Sequence, residues 1–494
     1  MSKLIRTLAL LSTLAVASTA FVACGGGTES TSTPAANNNS SAAAPADSSS
    51  EADSATEGGD AEGGDAEGGD TEGGDAEGGD SEGGDETPAA SGGEVSLPDT
   101  DDTLTIVCWT DTDLLNMFDI YTPVNGATPT FQKCGGNGSE ASVEYANYLN
   151  SGDDVDLFVA EAGWILNYIN DDSFSAPLSD LGITTADFAD AYQYTVDIGT
   201  DNNGVLKAAS WQAAAGGWAY NADLAKEYLG VEDEAAMQEK VADWDKFAAT
   251  AQELHDATDG AVYMTASLGG LWQAFSTARN AAWVNGTTIN TDTAKEFTEL
   301  AKTYADNGYV DPTVEQWGTE WQNYGKDGKT LGYFFSTWCL GEGAQLEQNC
   351  GNAGNWKLVN GPQEYFWGGS WLCVSPNCNT ATEAANFIRT FTCDAEGAEE
   401  YALYSGDFAN NKVAMDKIVA DGSNSNPLLG GQDQFAVLAD VAAGIKMSDS
   451  ITKYDQSLKD AYLNALIKNI GSDADTIINT FVNDAIAGNA DLNA

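Results

Sequence analysis

The sequence predicts an α/β protein of two-domain size that follows a long acidic segment without a hydrophobic core. The first observation is a β-rich apolar run at residues 103–107, after which apolar residues recur at helical spacing. The second is another such strand at residues 155–159, with a second helical pattern behind it. Repeated strand–loop–helix units are typical of α/β folds. The third is length, because residues 99–494 exceed the ~250–300 residues that one core supports.

Charge and composition exclude several functions. The 494 residues include 20 Lys and Arg against 76 Asp and Glu, a formal net charge of −56. Such a chain repels phosphate backbones and anionic lipid headgroups, so we expect no nucleic-acid partner. His255 is the only histidine, which removes Ser-His-Asp triads and multi-histidine metal centres. Arg6, Arg279 and Arg389 are the only arginines, so bidentate clamps for anionic ligands are scarce. We expect no metal site and no cofactor.

The N-terminus has the pattern of an export signal. A short basic region holds Lys3 and Arg6, and the apolar stretch 8–22 that follows is shorter than the ~20 residues of a membrane-spanning helix. The stretch ends in Phe-Val-Ala-Cys at Cys24, which resembles the signal peptide of bacterial lipoproteins. The resemblance implies removal of residues 1–23 and a lipid such as palmitate on the cysteine. The alternative is an ordinary signal peptide, and both interpretations export the chain.

Residues 24–98 have low complexity. Small and acidic residues dominate, with six copies of Glu-Gly-Gly-Asp at a five-residue period from Glu57. Such a segment buries too little apolar surface to fold, so we expect a disordered acidic tether. A calcium-binding β-roll is rejected, because its repeat is nine residues long and needs an apolar position that is missing here.

Polar and aromatic residues follow the two predicted strands. Trp109 and Asp111 come after the first strand, and Glu161 and Trp164 come after the second. In open α/β sheets, ligands bind beyond the carboxyl ends of the strands. These four residues therefore share a predicted ligand site.

A turn and a capped helix follow. Residues 201–204, Asp-Asn-Asn-Gly, predict a tight turn, and a calcium loop is rejected because no EF-hand spacing follows. A helix is predicted at residues 243–257, where Asp243 can cap the N-terminus. His255 lies near the end of this helix, where we expect it to be a solvated surface residue.

Two more helices are predicted further along the chain. One covers residues 292–307, with an apolar face. The other covers residues 381–401 and begins with a capping box of Thr380 and Glu383.

The order of short segments over nearly all of residues 100–490 resembles a known family. The segments that carry the resemblance are 104–111, 151–158, 177–181, 203–211, 218–224, 243–247, 335–338, 368–371 and 384–388. On these segments the chain resembles the family 1 extracellular solute-binding proteins of bacterial carbohydrate ABC importers. No single segment is specific, but their shared order is.

The resemblance implies a two-lobe, periplasmic-binding-protein-like α/β fold with a hinge and an interlobe cleft. Lobe 1 would comprise about residues 100–208 and 366–398. Lobe 2 would comprise about residues 209–365 and 399–494. The chain would cross the hinge several times, so neither lobe is one continuous segment.

Candidate ligand-binding residues follow from the chemistry of sugars. A sugar presents apolar C–H faces and hydroxyl edges, so its site needs flat aromatic rings together with carboxylates or amides. The candidates, several of them placed by the resemblance, are Trp109, Asp111, Glu161, Trp164, Trp211, Gln212, Trp272, Trp338, Trp367, Trp371 and Asp433, with Phe435 beside the last. The alternative for each tryptophan is a place in the core, to which we assign Trp244 and Trp356.

The cysteines allow more than one interpretation. Of the eight, Cys24 is reserved for lipid, which leaves an odd number. Cys339 with Cys350, and Cys373 with Cys378, are close enough in sequence to form disulfides. The alternative is that the thiols stay reduced. Zinc is disfavoured, because no Cys-x-x-Cys pair exists.

Together these observations predict a binding protein and no enzyme. We expect a monomer, lipid-anchored at the extracellular face of the membrane of a Gram-positive bacterium, which captures a neutral mono- or oligosaccharide. The resemblance implies delivery of the sugar to the permease subunits of an ABC importer. Two alternatives stay open, a secreted glycoside hydrolase and an adhesin that binds glycans without transport.

Overall fold

The computed structural model describes residues 95–494 except residues 111, 136, 137, 152, 153, 278, 280 and 447–450. The predicted signal peptide, Cys24, the predicted tether as far as residue 94, and Asp111 lie outside the described residues. The first described residues are already attached to the folded body, because the Ser96 backbone N–H donates to the Asp180 carbonyl at 2.8 Å.

Strands and helices alternate along much of the chain. The strands are β1 (Thr103–Cys108), β2 (Thr128–Lys133), β3 (Leu157–Glu161), β4 (Ala208–Ser210), β5 (Ala215–Asn221), β6 (Tyr263–Thr265), β7 (Val284–Asn285), β8 (Thr288–Ile289), β9 (Thr330–Ser336), β10 (Trp356–Val359), β11 (Tyr365–Phe366) and β12 (Ser370–Val374). The α-helices are α1 (Thr112–Ile120), α2 (Gly138–Ser151), α3 (Leu166–Ile169), α4 (Gln193–Ile198), α5 (Ala222–Leu229), α6 (Glu234–Val241), α7 (Trp244–Thr258), α8 (Leu268–Thr277), α9 (Asp292–Asp306), α10 (Thr319–Tyr324), α11 (Gln345–Cys350), α12 (Ala381–Thr392), α13 (Ala395–Ser405), α14 (Lys412–Asp421), α15 (Gln434–Gly444), α16 (Asp455–Lys468) and α17 (Ala474–Gly488).

The first sheet is the centre of lobe 1 and has the strand order β2-β1-β3-β12-β4. Strand β1 pairs in parallel with β2 and β3, whereas β12 runs antiparallel to β3 and β4. Alternate residues of a strand point to opposite faces. Leu104 and Ile106 accordingly enter one hydrophobic cluster and Val107 enters another. Both faces are therefore buried, which confirms the α/β architecture that the sequence predicts.

The second sheet is the centre of lobe 2 and has the order β10-β5-β9-β6, with β11 paired to β5. Strand β6 runs parallel to β9, and β5 runs antiparallel to β9 and β10. Every residue of β5 and β9 is buried. Aromatic rings fill the space above the sheet, with the Phe247 ring centroid 5.3 Å from Trp218 and 5.5 Å from Phe334. Lobe 2 thus has a core of its own.

The two sheets are connected where β4 leads into β5 and where β11 leads into β12. A third segment lies beside the first connection, because the Ala213 N–H donates to the Phe408 carbonyl at 3.1 Å and the Asn410 N–H donates to the Trp211 carbonyl at 2.9 Å. Gln212 and Ala409 form a bridge between them. Short extended segments that join two lobes are the positions at which hinge motion is absorbed.

Two predicted helices are confirmed. Helix α7 begins after Asp243, whose carboxylate accepts a hydrogen bond from the Lys246 N–H at 2.7 Å. His255 lies in its last turn with 36% of its side chain exposed, as expected for a solvated residue. Helix α9 buries Phe297 and Tyr304 on one face.

The third predicted helix is corrected in two respects. Residues 381–401 do not form one helix, because α12 ends at Thr392 and α13 starts at Ala395. The first turn of α13 packs closely on the end of α12, since a Cβ on Gly397 would lie 2.1 Å from the Thr390 carbonyl oxygen.

The predicted capping box at the start of α12 is wrong. Thr380 makes no side-chain cap hydrogen bond. The Glu383 carboxylate turns away from the helix and accepts hydrogen bonds from the Val124 and Asn125 backbone N–H groups at 3.1 and 3.0 Å and from the Tyr121 hydroxyl. The glutamate therefore fastens the loop after α1 instead of the end of α12.

The predicted turn at residues 201–204 is present. The Gly204 N–H donates to the Asp201 carbonyl at 3.0 Å, and the Asp201 carboxylate accepts from the Asn203 and Val205 N–H groups, both at 2.8 Å. Gly204 has a φ of +79°, which glycine adopts without strain.

The cysteines that were candidates for disulfides are free thiols. Cys339, Cys350, Cys373 and Cys378 are all buried and unbonded. Cys373 enters the cluster on one face of the first sheet, whereas Cys378 enters the cluster on the other face. The sheet lies between the Cys373 and Cys378 side chains, so this pair is not positioned for a disulfide although the two residues are close in sequence.

Within the part of the chain that the structure describes, no helix combines the length and the apolar character that a bilayer-spanning segment needs.

Candidate functional site in the interlobe cleft

A cleft lies between the end of β3 in lobe 1 and helices α8 and α16 in lobe 2. Lobe 1 contributes residues 161–163, and the β11–β12 connection contributes residues 366–368. Lobe 2 contributes residues of α8 and of the chain that follows it, and residues of α16 and of the chain that precedes it. The cleft encloses about 670 Å³, counted together with the space that is open to solvent. Its position, in a concave space between two lobes, is that of a small-molecule site.

Among the described residues that line the cleft, four side chains are charged, and their charges balance. Glu161 and Asp455 are acidic, and Arg279 and Lys459 are basic. The Arg279 guanidinium forms an ion pair with the Asp455 carboxylate, and both side chains are about nine-tenths buried. In a chain with a net charge of −56, a neutral cleft is a local exception.

Burial raises the pKa of both acidic groups. For Asp455 desolvation is the main cause, and the positive charge of Arg279 opposes it. For Glu161 desolvation again dominates, while the Lys459 ammonium and the Gly163 N–H favour the carboxylate. That N–H donates to the Glu161 carboxylate at 2.9 Å. Both acids are thus held in place by neighbours in the same cleft.

The N-terminus of α16 touches lobe 1 directly. The Gln456 backbone N–H donates to the Gly163 carbonyl at 3.1 Å. Asp455 is fixed beside it, because its carboxylate accepts from the Thr452 N–H and hydroxyl, both at 2.8 Å. Ile451 packs against a hydrophobic cluster of lobe 1. These contacts join the two lobes at the edge of the cleft.

Aromatic residues form the wall on the lobe 2 side. Trp272 and Trp283 line the cleft with ring centroids 5.6 Å apart, and Trp272 is 1% exposed. Phe366 and Trp367 line it where the chain returns to lobe 1. Of the predicted residues, Glu161, Trp272 and Trp367 therefore lie in the cleft.

Trp338 lies directly behind Trp367. Its indole N–H donates to the Trp367 carbonyl at 3.0 Å, and the two ring centroids are 5.2 Å apart. A third indole, Trp317, stacks on Trp338 at 6.0 Å and contacts Trp367 at 5.6 Å. Sequence reasoning missed Trp317, although it stands between polar residues and a glycine, where no helix or strand pattern explains a large apolar side chain.

Three predicted tryptophans lie in the core of lobe 1. Trp164, Trp211 and Trp371 are each 1% exposed. Trp164 packs edge-on against Trp109 and Tyr145, and the Trp371 indole donates to a backbone carbonyl at 2.9 Å. These positions match the alternative assignment to packing, and a ligand role for them stays a prediction.

The remaining predicted residues have other surroundings. Trp109 is half-buried between the two clusters of lobe 1. Gln212 is 2% exposed at the hinge connection. Asp433 caps α15, where its carboxylate accepts from the Phe435 N–H at 2.9 Å and the Asn424 amide at 2.6 Å. Asp111 is outside the described residues.

A second group of acids, one buried and one partly buried, lies beside the hinge, and sequence reasoning did not single it out. Asp407 is 4% exposed and accepts a hydrogen bond from the Tyr401 hydroxyl at 3.3 Å. Burial raises its pKa to about 7, and the carboxyl of Asp113 in the first turn of α1 adds to the shift. Burial raises the pKa of Asp113 to about 6.

Two α/β lobes with a polar and aromatic cleft between them define proteins that enclose a small solute by lobe closure. A family model described as bacterial extracellular solute-binding protein matches residues 118–430. The chain belongs to this family, which confirms the resemblance seen in the sequence. No curated protein sequence matches the chain significantly.

Solved structures support the fold. A crystal structure of an extracellular solute-binding protein family 1 member aligns with a TM-score of 0.67 at 16% identity, covering 78% of this chain and 99% of that one. The ABC transporter associated binding protein from B. animalis subsp. lactis Bl-04 aligns with a TM-score of 0.62 at 18% identity, covering 78% and 97%. An ABC substrate-binding protein from Listeria monocytogenes aligns with a TM-score of 0.60 at 15% identity, covering 78% and 99%.

Proposed function

We propose that the protein captures a neutral oligosaccharide in the cleft between its lobes. The observation that carries the proposal is the joint presence of aromatic rings and hydrogen-bonding groups along one cleft. Phe366 and Trp367 offer flat surfaces for the C–H faces of a sugar. Gln273, Gln456 and Ser276 offer amide and hydroxyl groups for its edges.

The charges of the cleft favour a neutral ligand. The two acids and two bases balance, and Arg279 is already paired with Asp455. An anionic ligand would have to compete for that arginine, and it would approach a chain with a net charge of −56. A neutral sugar meets neither obstacle.

The structural neighbours bind sugars, which agrees with this proposal. The B. animalis protein was solved with β-1,6-galactobiose, and the Listeria protein was solved with cycloalternan. At 18% and 15% identity these ligands suggest a class of compound and no particular sugar.

The proposal is tested by calorimetry on the mature chain with glucose, maltose, maltotriose, galactose and β-1,6-galactobiose. We expect at least one di- or trisaccharide to bind with a micromolar dissociation constant. Absence of binding by every sugar in the panel, with gluconate and glucose 6-phosphate included as anionic controls, would contradict it. Binding of an anionic control alone would indicate that the natural ligand is charged and not a neutral sugar.

A glycoside hydrolase is the rival from another class, because Glu161 and Asp455 place two carboxyl groups in the cleft. The ion pair of Asp455 with Arg279 disfavours it, since a fixed cation at the carboxylate lowers its basicity and its nucleophilicity. Sustained release of reducing sugar from the panel would favour the hydrolase. An adhesin would bind sugar without contraction of the protein in small-angle scattering.

We extend the proposal to anchoring and transport. Cys24 carries a lipid that holds the protein at the outer face of a Gram-positive membrane. Residues 24–94 act as a tether, because the chain is attached to the folded body from Ser96 onward. The monomeric protein delivers sugar to an ABC permease. A Cys24→Ala variant should appear in the culture medium and lose labelling by a fatty-acid analogue. Labelling that survives the substitution would refute the anchor.

A further inference from the structure

Trp317 differs from the other tryptophans that the structure describes in two ways. Its side chain is 47% exposed, whereas Trp367 beside it is 8% exposed. Its backbone has a φ of +73°, a left-handed conformation that is rare for a residue with a bulky side chain. Such strained positions persist where the surrounding structure holds them, and they cluster at ligand sites.

The surroundings fix one face of the Trp317 indole. Its ring lies nearly parallel to Trp338, with an interplanar angle of 23°, and Trp321 packs against it edge-on at 5.0 Å. The preceding residue, Gln316, packs on α8, because a Cβ added to Gly269 would lie 2.7 Å from its side-chain oxygen. The loop therefore rests on the helix that forms one wall of the cleft.

The position of the ring connects it to the ligand site. Trp367 lines the cleft, and the Trp317 ring centroid is 5.6 Å from the Trp367 centroid. The exposed indole thus continues the aromatic wall by one ring beyond the cleft lining. A rigid ring with one supported face and half its surface in solvent is suited to stack on the C–H face of a sugar.

We propose that Trp317 is the platform for a second sugar ring, so that the site prefers ligands of two or more rings over monosaccharides. The inference rests on the proposed function. The first ring would occupy the cleft beside Glu161 and Trp367, and the next ring would cover Trp317.

The experiment compares Trp317→Ala with the wild-type mature chain in calorimetry on two series, glucose, maltose and maltotriose, and galactose and β-1,6-galactobiose. We expect the variant to weaken binding of the di- or trisaccharide about tenfold. Binding of the matching monosaccharide should change less than twofold. Trp317→Phe, which keeps a flat ring, should recover most of the lost affinity.

Two controls separate the platform from a structural role. Trp317→Gly removes the ring and suits the positive φ, so it should fold as well as the alanine variant and show the same selective loss. Tyr228→Ala removes a half-buried ring on α5 that is not among the residues of the described cleft, and it should leave the affinity for every sugar unchanged.

The outcomes distinguish the two proposals. If the wild type binds sugars and Trp317→Ala binds them equally well, the platform is refuted and the sugar-binding function stands. Equal losses for mono- and disaccharides would also refute it, because they would place Trp317 at the first ring. If the wild type binds none of the sugars, both proposals fail.

Discussion

The tryptophans of lobe 1 and those of the cleft wall look alike in the sequence and differ in the structure. Trp164 and Trp371 follow or lie in strands of the first sheet, and both are 1% exposed in its core. Trp317 and Trp338 belong to lobe 2 and gather with Trp367 beside the cleft. The first group shares one hydrophobic cluster of lobe 1, whereas the second lies outside the strands, beside the cleft.

The difference shows that the carboxyl end of a strand predicts where a ligand site lies, but not which of the side chains near it line that site. Glu161 ends β3 and reaches the cleft. Trp164 comes only three positions later, but the Trp164 and Ile165 N–H groups both donate to the Glu161 carbonyl, at 3.1 and 2.9 Å. This tight turn directs the tryptophan back towards Tyr145 and the core.

The largest effect is expected for Trp371→Ala. The ring is fully buried, and its indole N–H donates to the Thr195 carbonyl at 2.9 Å. Removing it should lower the free energy of unfolding by ~3–5 kcal/mol, the usual cost of truncating a buried aromatic residue. Urea unfolding followed by circular dichroism measures it. A loss under ~1 kcal/mol together with lost sugar binding would move Trp371 from the core to the ligand site.

Sequence patterns predicted the α/β architecture, the helix cap at Asp243 and the position of Glu161 at the carboxyl end of a strand. Each of these depends on local spacing. They did not predict Trp317, whose contacts with Trp338 and Trp367 join parts of the chain that are distant in sequence. The capping box failed for the same reason, since Glu383 is bound by residues of a distant loop, including Asn125. Long-range pairing is absent from local patterns, so these features required the structure.

The second effect is a dependence of stability on pH. Asp407 is buried, and none of the described basic residues forms an ion pair with it. Burial raises its pKa to about 7, whereas Asp455 of the cleft is paired with Arg279. Between about pH 4 and pH 7 the unfolded chain ionises this group and the folded chain keeps it protonated, so stability falls as pH rises. The slope should reach about 1.4 kcal/mol per pH unit where the difference is one proton.

Asp407→Asn should flatten that slope, which denaturant titrations at several pH values would show. Asp473→Asn is the matched control, because Asp473 is an exposed helix cap whose pKa is lowered by the Thr476 N–H. The control should keep the slope between pH 4 and 7, since a group with a lowered pKa titrates below that window. An unchanged slope in Asp407→Asn would assign the pH dependence to Asp113 or to other groups.

The third prediction concerns Trp338, which contrasts with Trp371. If Trp338 supports the Trp367 ring that lines the cleft, Trp338→Ala should raise the dissociation constant of the bound sugar about 30-fold, or ~2 kcal/mol. Its effect on the free energy of unfolding should be smaller than that of Trp371→Ala, because Trp338 is only partly buried. Unchanged sugar binding in a folded variant would place Trp338 with the core residues.

The smallest effect is expected at Gly163, where lobe 1 meets α16. A Cβ added there would lie 2.9 Å from the Gln456 side-chain oxygen, and the Gly163 carbonyl accepts the Gln456 N–H at 3.1 Å. This contact between the lobes should therefore tolerate Gly163→Ala only after a shift of the flexible Gln456 side chain. A ligand that bridges the lobes binds better to the closed state, so a variant that disfavours closure lowers the apparent affinity even when it removes no contact with the ligand.

We expect about a threefold rise in the dissociation constant for Gly163→Ala, or ~0.7 kcal/mol, and no loss of thermal stability. Gly471→Ala is the control, because no atom lies within 4 Å of a Cβ at that position. Small-angle scattering should show both variants contracting when saturated with sugar. If Gly163→Ala binds as tightly as the control, the contact between Gly163 and α16 does not limit closure, and the aromatic wall carries the binding energy by itself.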